Sequence, residues 1–144
     1  MIQDIELAGV ASVLGLERVD YTPLAFSAQI NRGLPLQSIT HVHDIVAPGS
    51  TTFSGLVISK QTLSRRRKSG QALSPVESER LARIARVWTM ASDVYKDENM
   101  ARLFLNKPHP MLEGRIPLEV ATENEYGAEA VVQTLGRLKY GSVA

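Results

Sequence analysis

The stretch Ser74-Pro75-Val76-Glu77-Ser78-Glu79-Arg80-Leu81-Ala82-Arg83-Ile84-Ala85-Arg86-Val87-Trp88-Thr89-Met90-Ala91-Ser92-Asp93-Val94-Tyr95 decides the fold. Ser74 followed three residues later by Glu77 is a capping box, and Pro75 falls at the first helical position, where a missing amide donor costs nothing. Leu81, Ile84, Trp88, Ala91 and Tyr95 then recur at three- and four-residue intervals, while Glu79, Arg80, Arg83 and Arg86 fall on the other side. The spacing predicts one long amphipathic helix over 75–95, with Trp88 buried, joining two halves of the molecule.

Working outward, a shorter helix over 98–106 is expected to bury Leu103 and Phe104 and to stop at Pro108 and Pro110. Beyond Pro117, Thr122-Glu-Asn-Glu125 reads as a second capping box opening a last helix over 122–139, whose apolar stripe is Ala128, Val131, Val132, Leu135 and Leu138. Glu77, Glu79, Glu123 and Glu125 read as helix-start charges that complement the dipole. Toward the N-terminus the first units are 22–32 and 35–46, the second opening with Pro35, and Pro48-Gly49-Ser50 breaks the pattern. Phe53 to Ile58 forms a short apolar stretch. Ser59 caps a basic helix from Lys60 to Ser69, which Gly70 ends. No segment alternates as a half-buried strand does, so the expected class is all-α.

The chain has 144 residues, room for one ordinary domain or two small helical units packed together. Hydrophobic residues at 44% against 22% charged set disorder aside. No apolar run nears the ~20 residues that a bilayer span needs. Asp4 and Glu6 precede the first apolar stretch, where a secretory signal would carry basic residues, so the expected location is cytoplasmic. The absence of cysteine removes disulfides and thiolate chemistry and fits a reducing compartment. His41 and His43, two apart on a helix, point in different directions and would not share a metal, and His109 lies between prolines with no carboxylate pattern around it. No phosphate-cradling glycine loop, carboxylate pair or nucleophile–base pattern stands out. We therefore expect no enzyme, no metal, no cofactor and no small-molecule substrate.

Net charge is only +1, yet the charges are segregated. Residues 60–86 hold eight Lys and Arg against two Glu, while residues 1–59 carry a net −3 and residues 87–144 a net −2. One basic segment in a near-neutral chain points to a local polyanion contact; the bland alternative is a solvated helix face. Phe53 to Ser69 supplies a short helix, a tight turn and a basic second helix, which together make a helix-turn-helix. Lys60, Gln61 and Ser64, near the start of the second helix, would face base edges in the major groove. Arg65, Arg67 and Lys68 would hold phosphates, and Leu63 would anchor the helix to the core. Arg65, Arg66, Arg67 and Lys68 cannot all face one way, so only some of them would touch DNA.

From about residue 52 onward the order of motifs resembles the Xre/MbcA/ParS antitoxins of type II toxin–antitoxin systems. Leu56-Val-Ile-Ser59, Thr62-Leu63, Arg66-Arg67-Lys68 and Leu73-Ser-Pro-Val-Glu-Ser78-Glu-Arg-Leu81 are similar to the family's Xre-like helix-turn-helix and its exit. Pro117-Leu118, Ala121-Thr-Glu123, Gly127-Ala-Glu129, Leu135-Gly136-Arg137 and Tyr140-Gly141 look like its C-terminal toxin-binding domain. The resemblance implies an Xre-like helix-turn-helix domain over 1–73 and a toxin-binding domain over 74–144. It further implies a homodimer that neutralises a RES-domain toxin, a protein that destroys NAD or transfers ADP-ribose from it, by occupying the toxin's active-site cleft. Many members also bind their own promoter.

One departure from the family pattern is Val57, where glycine often stands in the helix-turn-helix turn; a β-branched residue dislikes the left-handed conformation that glycine allows. Either the turn is built differently, or the motif is degenerate and serves dimerisation. The closing Arg137, Lys139, Tyr140 and Gly141 are the expected toxin-binding residues, since Arg and Tyr are frequent interface anchors. The bland alternative is a frayed terminus. The competing function is a free-standing helix-turn-helix regulator whose C-terminal half only dimerises.

Overall fold

The Ser74 hydroxyl accepts from the Glu77 amide at 3.2 Å and the Glu77 carboxylate accepts from the Ser74 amide at 2.8 Å, so the expected capping box opens a helix from Pro75 to Tyr95. The computed structural model describes residues 2–16 and 22–141. Among them eight helices are present: α1 (Ile2–Val13), α2 (Pro23–Arg32), α3 (Gln37–Val46), α4 (Lys60–Ser69), α5 (Pro75–Tyr95), α6 (Glu98–Asn106), α7 (Pro117–Glu123) and α8 (Glu125–Tyr140). Single turns of 3-10 helix lie at Phe53–Leu56 and Pro110–Leu112, and the described residues contain no strand, only an isolated antiparallel bridge between His109 and Arg115. The all-helical class read from the sequence is the class observed.

Helix α5 is the axis, and α1, α2, α3, α6, α7 and α8 all pack on it. Its Leu81, Ile84, Ala85, Val87, Trp88 and Ala91 are buried in one continuous core with Val42 and Val46 of α3, Leu105 of α6 and Val131 and Leu135 of α8. The Arg102 guanidinium lies 5.5 Å from the centre of the Trp88 ring, covering it from the α6 side. Arg83, expected on the polar face, is instead buried: its Nη1 donates to the Ala121 carbonyl of α7 at 3.0 Å. Its Nε lies 2.8 Å from Glu79 Oε2, an ion pair whose N–H is not aligned for a hydrogen bond. The burial of Arg83 has a simple cause. With helices on several sides of α5 there is little polar face left, and a guanidinium can be buried when a carbonyl and a carboxylate meet it.

Other boundaries follow local chemistry. Thr22 caps α2 with Pro23 behind it, Ser59 caps α4 through the Thr62 amide, and Gly70 ends α4 at φ 72°. Helix α3 begins at Gln37, two residues later than Pro35 suggests. Helix α1 was not anticipated; Val10, Ala11, Val13 and Leu14 are buried, and the absence of a side chain at Gly9 lets the helix approach Thr89 of α5. In α6, Phe104 and Leu105 are buried but Leu103 is 46% exposed, because the face that meets α5 runs through Ala101, Phe104 and Leu105.

The last helix also starts differently. Thr122 lies inside α7, buried, its hydroxyl donating back to the Leu118 and Glu119 carbonyls, and Asn124 is the residue that caps α8 by accepting from the Gly127 amide at 2.9 Å. Glu123 ends α7 in an ion pair with Arg115 rather than beginning a helix. A Cβ at Gly127 would lie 2.0 Å from the Val120 carbonyl oxygen, so glycine permits the tight corner between α7 and α8. Along α8, Ala128, Val131 and Leu135 are buried, whereas Val132 is half-buried and Leu138 is 36% exposed as the helix runs beyond the core.

Candidate functional site

Two surfaces carry the residues singled out by sequence. The first is α4, whose only buried side chain is Leu63. At about 100° per residue, positions 67, 60, 64, 68, 61 and 65 fill one arc of about 160°, and all six side chains are exposed. Position 66 falls outside that arc, and Arg66 is turned inward to pair with Glu77 of the α5 capping box. Lys60, Gln61, Ser64, Arg65, Arg67 and Lys68 therefore share one solvent-facing surface, and none of its four cations has an ion-pair partner among the described residues.

The approach to this helix is built without strain. The first helix expected here is a single 3-10 turn, Phe53–Leu56, with Phe53 buried. Val57 has φ −107° and ψ −45° and is fully buried, so the turn uses a right-handed conformation that a β-branched residue adopts readily. The turn is thus one in which glycine is not required. Arg80 of α5 donates to the Val57 carbonyl at 3.2 Å and ties the turn to the axis of the fold.

Between α3 and α4 lies a cleft of about 580 Å³, lined by Thr40 and His43 of α3, Ser50, Phe53 and Ser54 of the connection, and Lys60, Ser64, Arg67 and Lys68 of α4. In the sequence His43 stands out only for its spacing from His41, which does not suit a shared metal. Its ring instead contacts Asp44 and the Ser50 carbonyl, while the His41 ring contacts the Val13 carbonyl. The contribution of α3 to the cleft had no local signal, since residues 43 and 67 meet only through the fold.

The second surface is the end of α8. Lys139 Nζ lies 2.8 Å from Asp93 Oδ2 of α5, and Lys96 Nζ lies 3.0 Å from Oδ1 of the same carboxylate. The hydrogen bonds from Lys139 and then Lys96 hold the Asp93 carboxyl below its ordinary range, and that with Asp93 raises the Lys139 ammonium. Lys139 also lies 5.4 Å from the centre of the Tyr140 ring. Tyr140 is 67% exposed. Together with Gln133, Gly136, Arg137 and Gly141 it borders an open hollow of about 470 Å³, and Arg137 has no ion-pair partner among the described residues. Of the four tail residues, Arg137, Tyr140 and Gly141 thus share one hollow, and Lys139 is drawn to α5. Ser142 to Ala144, which follow them, lie outside the described residues.

No helix among the described residues is long and apolar enough to cross a membrane. A family model described as the antitoxin Xre-like helix-turn-helix domain matches residues 25–86, and one described as the antitoxin Xre/MbcA/ParS C-terminal toxin-binding domain matches residues 90–141. The chain is also similar to a curated protein named antitoxin Xre from Yersinia enterocolitica. The two are 31% identical over 135 residues, which cover 92% of this chain and 85% of the relative.

Proposed function

Because the chain belongs to the Xre/MbcA/ParS antitoxin family, we propose that it neutralises a RES-domain toxin by placing the end of α8 in the toxin's NAD-binding cleft, and that as a homodimer it represses its own promoter through α4. It performs no chemistry of its own. The observation that carries the first part is the exposed pairing of Arg137 and Tyr140 on one hollow at the end of an otherwise well-packed helix. A cleft that consumes NAD must bind phosphates and an aromatic base, and a guanidinium beside an exposed phenol ring offers the charge and the flat surface that such a cleft accepts. The promoter part is supported by the exposed arc of Lys60, Gln61, Ser64, Arg65, Arg67 and Lys68.

The test is truncation after Leu138, compared with Tyr140→Ala in the full chain. Both changes lie beyond the buried stripe of Ala128, Val131 and Leu135, so the fold and oligomeric state are expected to persist, as circular dichroism and light scattering can check. Affinity for the RES toxin should fall by at least ~2 kcal/mol if Tyr140 is an anchor in a desolvated pocket. Cells expressing the toxin should then lose protection. A truncated protein that still binds and protects fully would place neutralisation on another surface. A full-length protein that binds promoter DNA but no RES toxin would leave the free-standing regulator.

A further inference from the structure

Both ring nitrogens of His43 face oxygen: Nδ1 lies 2.9 Å from Asp44 Oδ1 and Nε2 lies 2.8 Å from the Ser50 carbonyl oxygen. An ionised carboxylate and a backbone carbonyl are acceptors only. Both contacts are hydrogen bonds only when both nitrogens carry protons, which makes the ring an imidazolium. The ring also meets Phe53 edge-on at 5.7 Å between centroids. His43 thereby links α3 to the turn ending at Ser50 and to the 3-10 turn that delivers the chain into α4.

Its charged surroundings are one-sided. Asp44 is the carboxylate in contact with it; across the cleft α4 contributes Lys60, Arg67 and Lys68, and the connection contributes the non-titrating Ser50, Phe53 and Ser54. On the far side of Ser50, Arg102 of α6 and Lys107, just past its end, line an adjoining cleft. A proton removed from the ring takes a positive charge out of this field and leaves one nitrogen lone pair against an oxygen, so that one of the two hydrogen bonds joining His43 to Asp44 and to the Ser50 turn is lost.

We propose that His43 is a positioning residue of the polyanion surface: as an imidazolium it fixes the Ser50 turn against α3 and adds positive charge to the α3–α4 cleft, so that α4 holds DNA more tightly when the ring is protonated. The proposal rests on the promoter-binding reading. The Asp44 carboxylate first, and then the Ser50 carbonyl, raise the pKa of the ring above its ordinary 6.5. The stabilisation is therefore complete below 6.5 and is lost as pH rises through the higher folded value.

The experiment measures binding of the full chain to a labelled 30-base-pair duplex of unrelated sequence by fluorescence anisotropy, from pH 6 to 8.5 at constant ionic strength. The arms are the unaltered chain, His43→Gln, Asp44→Asn and, as a control on α4, Arg67→Ala/Lys68→Ala, each checked for folding by circular dichroism. The unaltered chain should lose about three- to fivefold in affinity across the range, the worth of one unit charge a few ångströms from a phosphate in water. His43→Gln should be flat at the weaker level. Asp44, with a solvent-exposed side chain, can be replaced without disturbing the core, and Asp44→Asn should move the midpoint to lower pH, a shift that a merely structural role for His43 would not produce. If the control weakens binding but His43→Gln keeps the pH profile of the unaltered chain, or Asp44→Asn leaves the midpoint in place, the proposal is overturned and α4 remains the DNA reader. If the control binds as well as the unaltered chain, or nothing binds, the promoter reading and the proposal fall together.

Discussion

Replacing Gly127 by alanine tests the corner that aims α8. The added Cβ would lie 2.0 Å from the Val120 carbonyl oxygen and 3.0 Å from its carbon, about 1.4 Å inside the 3.4 Å at which ordinary contact begins. The obstacle is backbone on a helix packed against α8, so relief requires the two helices to separate rather than a side chain to turn. Overpacking of this kind costs about 1–3 kcal/mol, with a rigid backbone contact at the upper end. Alanine gains about 1 kcal/mol over glycine in helix propensity, which leaves a net loss of about 2 kcal/mol.

Gly136, in the same helix, is the internal control. A Cβ there meets nothing within 4 Å, so only the propensity term acts and Gly136→Ala should gain up to about 1 kcal/mol. For a chain of this length each kcal/mol moves Tm by about 3–4 °C, which puts Gly127→Ala about 6–8 °C below the unaltered protein and Gly136→Ala about 3 °C above it. Differential scanning calorimetry at one protein concentration reads both values. A Gly127→Ala protein that melts at or above the unaltered chain would refute the tight-corner account.

Trp88→Ala should cost about 3–5 kcal/mol in urea unfolding, because the ring is 4% exposed and covered by Arg102; an unchanged midpoint would contradict the burial. Arg83→Ala should cost about 1–3 kcal/mol, since the Ala121 carbonyl loses its donor while Glu79 can reach solvent; a neutral result in the same assay would mean that water replaces the guanidinium. Neutralising Arg65, Arg67 and Lys68 together should lower the slope of log affinity against log salt by about 0.9 for each phosphate that the variant no longer neutralises. Promoter binding with an unaltered slope would remove α4 as the reader.

Where a signal occupies a few consecutive residues, the sequence was enough. Ser74 and Ser59 act through hydroxyls that reach only three residues along the chain, and Pro75, Gly70 and Pro48-Gly49-Ser50 through their own backbone; Ser59, Gly70, Ser74 and Pro75 set the bounds of α4 and α5 closely. Thr122 and Asn124 show where this stops. Thr122-x-x-Glu125 satisfies a capping pattern locally, but α7 begins at Pro117 and buries Leu118, Val120, Ala121 and Thr122, so the chain is still helical where the pattern asks it to start. The decision between the two caps lies in the contact of Gly127 with Val120, which becomes visible only when α7 and α8 meet. Leu103 and α1 were misread or missed for a related reason: periodicity gives the phase of an apolar stripe but not which neighbour will cover it.

The charge pattern shows the same division between what a count conveys and what packing decides. Eight cations between residues 60 and 86 point to a local polyanion contact, without saying how many of them are available to make it. Four of them are engaged within the fold: Arg66 with Glu77, Arg80 with the Val57 carbonyl, Arg83 with Ala121 and Glu79, and Arg86 with Glu6 at 3.0 Å. The cations of α5 are therefore structural, and both glutamates of the segment are occupied in holding two of these arginines. The remaining four, Lys60, Arg65, Arg67 and Lys68, all lie on the exposed arc of α4 without a carboxylate partner among the described residues. Folding thus halves the number of available positive charges and gathers those left on one helix face. A groove of phosphates would meet a denser field there than the sequence average implies, and in that concentrated field one further charge, the imidazolium proposed for His43, would matter.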